Sequence, residues 1–469
     1  MVRPSSPMRL SGASARPAVA DLVRPRTSLY RRWALVACML ALWALPVQGA
    51  PEITEWQTEA GARVLFVQTS AVPMVQARVT FAAGSARDGE HPGIARLTSN
   101  LLMSGTRERD ADALARALED VGARVSTGSA RDMGWVELRA LAEPDKLQPA
   151  VEHVRELLAQ PAFPAKEIAR LKDQQRTQLQ NRAQSPGAIA SRRFWEAAYA
   201  DHPYGHDPRG STASLEAIDR AALQAFHERY YVAANATIAL VGALEPERAR
   251  RLVRTLIGGL PSGQAAPDLP PVPELEDDRT IREPFPSTQA HVVIGRPGVE
   301  RGYAQWPALY VANHVLGGGG FTSRLFDEVR DQRGLVYSVS SGFSPMQRPG
   351  PFRIRLQTRG GQTQEALDVV RQVFDRFDAD GPTASEIDDA VLNITGGFPL
   401  QVDSNSDLAG YLSMIGFYGL PTDYLQRFPD RVEAVGPGSA HSAFVEALGQ
   451  RPRVTVVVGG DRADGTDDD

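Results

Sequence analysis

Along the chain, apolar positions switch repeatedly between a period near two and a period near 3.6, the pattern of strands alternating with helices. Val64 to Val67 and Val75 to Phe81 cluster β-formers and predict two strands paired with each other. Gly93 opens a helical pattern that runs to Met103, and a second helix is predicted over Asp110 to Val121, closed by Gly122. Arg124 to Ser126 with Gly134 to Ala142 reads as strand, turn, strand. Helices follow at Leu147 to Leu158, Ala165 to Gln180 and Ser214 to Tyr230, and Thr237 to Val241 is a strand stopped by Gly242.

Pro261, Gly263, Pro267, Pro270, Pro271 and Pro273 then break the pattern, predicting a linker over 261–280. Beyond it the grammar repeats: strand at His291 to Ile294, helices at Trp306 to Leu316 and Ser323 to Gln332, strands at Leu335 to Ser340 and Phe352 to Thr358, helix at Gln364 to Phe377. Leu118 to Ser126 aligns with Val329 to Ser338 once a residue is inserted before the glycine, and Asn235 to Gly242 echoes Pro452 to Gly459. The expectation is an α+β chain of two duplicated domains, 50–260 and 281–460, each a mainly antiparallel sheet packed with helices. An acidic tail at 461–469 is expected to be solvated.

With 469 residues, 23% charged and 42% hydrophobic, the chain is no disordered tail, collagen-like repeat or small disulfide scaffold. Its single cysteine, Cys38, lies in an N-terminal apolar segment, so the body has no thiol nucleophile, cysteine metal ligand or disulfide. The net charge of −5 splits into +6 over residues 1–49 and −11 over the rest, a poor match for a phosphate backbone. Arg31-Arg32 before the apolar run Trp33 to Pro46, with small residues around Gly49, reads as a signal peptide over 1–49. The run is short for a membrane span, so an exported chain is expected, in the periplasm. An uncleaved anchor is the alternative; a lipoprotein box at Leu35 to Cys38 has too little apolar length before it.

The eight histidines include no pair at helical spacing with an intervening glutamate; His202 and His206 sit on a loop around Pro203 and Gly205, where a packing role is expected. The segment Gly93-Ile94-Ala95-Arg96-Leu97-Thr98-Ser99-Asn100, continuing to Gly105-Thr106, resembles the zinc-binding helix of the pitrilysin-type M16 metallopeptidases. The family pattern is Gly-x-Ala-His-x-x-Glu-His, then an apolar run and Gly-Thr. Arg96, Ser99 and Asn100 stand where the first histidine, the catalytic glutamate and the second histidine belong. Arginine stays protonated and offers no lone pair, and serine cannot serve as the carboxylate base of a zinc-bound water. Where the family places a third ligand glutamate, Asp173 to Gln180 contains none. No metal is therefore expected on this chain.

Other segments carry the same resemblance: Ser85 to Asp88, His202 to His206 with Gly210, Tyr230-Tyr231 with Asn235, and Leu316 to Phe326 with its run Gly317, Gly318, Gly319, Gly320. It implies the LuxS/MPP-like metallohydrolase fold and an M16B-like, non-zinc-binding subunit. Arg330 and Tyr337 match the spacing of an arginine and tyrosine that in active members hold the substrate at the scissile bond. The resemblance further implies substrate contact at the glycine run and on the strand bearing Leu335 and Ser338. The reading is a heterodimeric zinc peptidase in which this chain contributes Arg330, Tyr337 and chamber wall. A partner with an intact His-x-x-Glu-His helix would contribute zinc, and peptides or unfolded segments would be the substrates. The alternative is a structural or peptide-binding homologue without proteolytic duty.

Overall fold

The structure, a computed structural model, describes residues 52–460; the predicted signal peptide over 1–49, with Cys38, and the tail over 461–469 fall outside the described residues. The first half runs β1 (Thr54–Gln57), β2 (Arg63–Gln68), β3 (Met74–Phe81), α1 (Ile94–Leu101), α2 (Ala111–Asp120), β4 (Arg124–Ser129), β5 (Gly134–Leu141), α3 (Pro144–Ala159), α4 (Ala165–Ala183), α5 (Pro186–Tyr199), α6 (Thr212–Ala217), α7 (Arg220–Tyr230), β6 (Ala236–Gly242) and α8 (Pro246–Leu256). After an extended connection come β7 (Arg279–Glu283), β8 (Gln289–Pro297), α9 (Trp306–Asn313), β9 (Val336–Phe343), β10 (Pro351–Arg359), α10 (Thr363–Asp380), α11 (Ala384–Gly397), α12 (Asn405–Phe417), α13 (Tyr424–Glu433), α14 (Pro437–Ala447) and β11 (Val454–Gly459).

The first sheet has strand order β1-β2-β6-β3-β5-β4 and the second β7-β11-β8-β10-β9. The duplication shows in the pairing: β2 runs parallel to β6 and β7 parallel to β11, while β6 with β3 and β11 with β8 are antiparallel. All other neighbours are antiparallel. The predicted pairing of Val64–Val67 with Val75–Phe81 is corrected by this order, because β6 lies between β2 and β3. Every residue of β6 is buried, so the most apolar strand takes the centre although it arrives some 150 residues later. The predicted helix Ser214 to Tyr230 is two helices: Ile218 is extended and the Asp219 carboxylate caps α7 by accepting from the Ala222 amide at 2.8 Å.

Each sheet is covered on one face by its own half's helices and on the other by a helix from the opposite half. Val64, Phe66, Ile238 and Leu240 face α1, α3, α7 and α8, while Leu65, Val67, Ala239 and Val241 pack with Leu408, Ala409, Leu412 and Ile415 of α12. Reciprocally, Ile189, Ala190, Phe194 and Ala198 of α5 pack on Val293 of β8 and Val454, Val456 and Val458 of β11. Close approach needs small residues: a Cβ on Gly416 of α12 would lie 2.5 Å from Thr237 and 2.6 Å from Leu65. This exchange ties the halves together and fixes the second sheet relative to the first.

Candidate functional site

The helix that resembles a metal site is α1. Gly93 caps it at φ +99°, and a Cβ there would lie 2.7 Å from the Arg209 carbonyl and 3.1 Å from the Gln175 amide. The buried Asp88 carboxylate accepts from the Gly93 and Ala95 amides at 2.7 and 3.0 Å and meets His206 Nε2 at 2.9 Å. Burial pushes the Asp88 carboxyl up, while His206 and the two amides pull it down. His202 is buried, with Nε2 3.1 Å from the Pro270 carbonyl and Nδ1 accepting from the Tyr204 amide, so both loop histidines have packing roles.

Arg96 and Asn100 are half-buried on one face of α1, and Ser99 is fully buried with its hydroxyl unpaired. Gln175 of α4, within the stretch where a third ligand would belong, is buried and donates to the Arg209 carbonyl at 2.7 Å. Among the described residues no group of three His, Cys, Asp or Glu side chains could hold a metal ion. An arginine, a serine and two amides present no anionic donor, so zinc does not fit this site. Instead Arg182 and Arg209 lie 3.9 and 3.6 Å from Asp207, and the Arg209 carbonyl abuts Gly93 at the start of the helix that bears Arg96.

In the second half, the residue inserted relative to the repeat has a structural identity. In the first half α2 closes normally, with the Ala123 amide donating to the Leu118 carbonyl and Gly122 at φ +67°. In the second, Phe326–Asp331 forms a π turn in which Gln332 donates to the Asp327 carbonyl at 2.9 Å, and the chain then turns at Gly334, φ +63°. The extra residue widens one helical turn; such turns recur at functional sites. Arg330 sits in it.

Arg330 has no ion pair or side-chain hydrogen bond among the described residues. Its guanidinium carbon is 4.5 Å from the Phe326 ring centroid, 5.8 Å from that of Tyr337 and 5.9 Å from that of Phe321, so the cation is held by ring faces and its N–H donors stay free. Tyr337 is 78% exposed on β9, the edge strand of the second sheet. Gln357 pairs with Ser338 but Thr358 with Val336, so Tyr337 is the extra residue of a β-bulge, and the bulge turns both Tyr337 and Ser338 outward. Unpaired backbone, an exposed phenol and a free guanidinium thus share one edge.

The other predicted contact residues divide. Gly318 and Gly320 are exposed and Gly319 half-buried, but Gly317 is buried where a Cβ would lie 2.6 Å from Ser341 Oγ and 2.7 Å from Leu325. Leu335 is a core residue whose carbonyl accepts from Thr358 Oγ1 at 2.6 Å. Gly317 and Leu335 therefore hold β9 in place from behind. Arg324 anchors the glycine run, bonding Glu386 at 2.6 and 2.7 Å and the Gly381 carbonyl at 2.9 Å. Burial alone would raise the Glu386 carboxyl, but Arg324 and the Thr383 cap hold it at about 2.

The β9–β10 hairpin is pinned to the first half by Asp132, a buried residue that sequence reasoning missed. Its carboxylate accepts from the Tyr204 and Tyr418 hydroxyls and from the Gln347 amide at 2.8 Å. The Tyr204 hydroxyl also accepts from the Arg348 amide at 3.1 Å, and Tyr199 donates to the Pro349 carbonyl at 3.0 Å. Burial and the Asp132 charge push the Tyr204 and Tyr418 phenols far up, so both remain donors.

Two interlocked α+β halves and a helix in the place of a metal site but without metal ligands define a homologue of metallopeptidases. Residues 63–210 match the insulinase (peptidase family M16) model and residues 217–394 the peptidase M16 inactive domain, and the chain belongs to the M16 family. A peptidase M16 inactive domain from Pseudomonas fluorescens shares 37% identity and TM-score 0.85, over 88% of this chain and 99% of that one. The non-peptidase homolog YmxG of Helicobacter pylori is 24% identical over 80% of this chain and 86% of its own length. The periplasmic protease PqqL of Escherichia coli has TM-score 0.73 at 17% identity, covering 88% of this chain and 46% of that chain.

Proposed function

We propose that this chain is the zinc-less subunit of a heterodimeric M16B-type peptidase. It supplies Arg330 and Tyr337 to a partner that carries the intact His-x-x-Glu-His helix. The observation that carries this reading is the edge of β9, where a guanidinium with no carboxylate partner and a bulged, exposed phenol stand together. Both donate hydrogen bonds suited to a peptide carbonyl and to the oxyanion that develops from it. The unpaired edge of β9 adds an extended peptide as a further strand, which selects unfolded segments over folded ones. The partner supplies the metal and the water it activates. Export to the periplasm fits the N-terminal pattern of the sequence and the location named for PqqL. Coverage of 46% of PqqL supports the idea that this chain makes up half of a closed chamber.

The test is an Arg330→Ala, Tyr337→Phe chain reconstituted with a zinc-bearing partner. Loss of transition-state donors lowers kcat by about 10²-fold or more with a smaller change in KM. The second reading, a structural or peptide-binding homologue, is favoured by the name of the Helicobacter relative. Unchanged turnover in the double variant would select it.

A further inference from the structure

The face of α1 that offers nothing to a metal offers a surplus of positive charge. Arg96 is the third residue of α1, where the helix N-terminus already carries partial positive charge. The N-terminal amides are occupied by the buried Asp88 carboxylate, which offsets the helix end and meets His206, while the Arg96 guanidinium itself has no carboxylate in contact. Arg182 reaches the site from α4, which packs against α1, and Arg209 from the loop whose carbonyl abuts Gly93. Both share the single carboxylate of Asp207, at 3.9 and 3.6 Å. Arg96 itself has no ion pair or side-chain hydrogen bond among the described residues, nor does Asn100 one turn further on. Burial depresses Arg96, and Arg209 and Arg182 depress it further, with Asp207 opposing them. Asp88 is taken up by the helix end and His206 and Asp207 by Arg182 and Arg209, so Arg96 is left without a counter-ion, and its partly solvent-accessible guanidinium calls for a mobile anion.

We propose that Arg96, with Asn100, Arg182 and Arg209, forms a carboxylate-binding site in this chain where its catalytic relatives hold a cation. A guanidinium and a primary amide on one helix face offer N–H pairs matched to the two oxygens of a carboxylate, and the flanking arginines supply the attractive field. The ligand class is the carboxylate of a peptide, carried by its C-terminus or by an aspartate or glutamate side chain. The inference does not depend on the Arg/Tyr edge or on a partner subunit.

The probe is an alanine-rich hexapeptide ending in glutamate, labelled with a neutral BODIPY dye that carries no carboxylate, titrated into the full chain and followed by anisotropy. An amidated form and a glutamine form separate the two carboxylate sources. The free acid with glutamate binds, at least one single-carboxylate form binds more weakly, and the peptide lacking both carboxylates binds roughly tenfold more weakly or not at all. Raising ionic strength weakens binding further. Arg96→Met loses roughly tenfold in affinity, Arg96→Lys loses less, and Arg371→Ala, at an exposed arginine of α10, changes nothing here. The thermal midpoint of Arg96→Met stays level or rises, since an uncompensated charge is removed, whereas a purely structural Arg96 would lower it. Equal affinity for the carboxylate-free peptide, or unchanged affinity in both Arg96 variants, overturns the proposal. Should Arg96→Met fail to fold, Arg96→Lys and the amidated peptide decide the matter.

Discussion

Asp132 joins the halves at the base of the hairpin that carries Tyr337, and its removal has a calculable effect. Asp132→Ala deletes one carboxylate and strands three donors: the Tyr204 and Tyr418 hydroxyls and the Gln347 amide. Hydrogen bonds to a charged acceptor contribute about 1.5–3 kcal/mol each, so the gross loss is about 4.5–9 kcal/mol. Two effects reduce it: half-buried Tyr418 can recruit water, and the cost of holding a buried charge disappears. The net expectation is a destabilisation of about 3–4 kcal/mol. Asp132→Asn keeps one acceptor oxygen and turns an amide N–H₂ toward a donor, so about 1–2 kcal/mol is expected. The assay is urea unfolding followed by tryptophan fluorescence, reading the midpoint at constant m. Because α5 and α12 are exchanged between halves, one cooperative transition is expected. A loss under about 1 kcal/mol for Asp132→Ala, or two resolved transitions with only one moved, would refute the hub and the interlock.

Burial holds His227 at about 4, below an ordinary 6.5, so the unfolded chain binds its proton first as pH falls. That stabilisation, about 3 kcal/mol, is complete above 6.5 and lost between 6.5 and about 4; His227→Phe should remove this component from the pH dependence of the urea midpoint. Gly317→Val drives side-chain atoms into Ser341 and Leu325, costing about 2 kcal/mol and displacing β9, which hydrogen exchange at the β9 amides would report as lost protection.

Local signals were readable from the sequence. Asp110 caps α2 and accepts from the Ala113 amide at 2.8 Å, and Gly122 and Gly334 adopt the positive φ that ends their helices. The insertion visible between Leu118–Ser126 and Val329–Ser338 is the π turn under Arg330. Long-range facts were not readable. The placement of β6 between β2 and β3 depends on which strand is buried on both faces, and the exchange of α5 and α12 on helix faces whose covering sheet lies in the other half. Arg182 and Arg209 meet at Asp207, next to the helix that bears Arg96 about a hundred residues earlier, with no spacing to betray them. The bulge at Tyr337 depends on cross-strand register, so a pattern that alternates through Leu335 to Ser340 hides it.

The account turns on a division of labour between two chains. The most direct measurement is peptide hydrolysis by this chain alone, by a His-x-x-Glu-His partner alone and by their equimolar mixture, with zinc quantified in each. Turnover only in the mixture, with one zinc per heterodimer and none in this chain, is the predicted result. Hydrolysis by this chain alone, or a stoichiometric zinc in it, would contradict it.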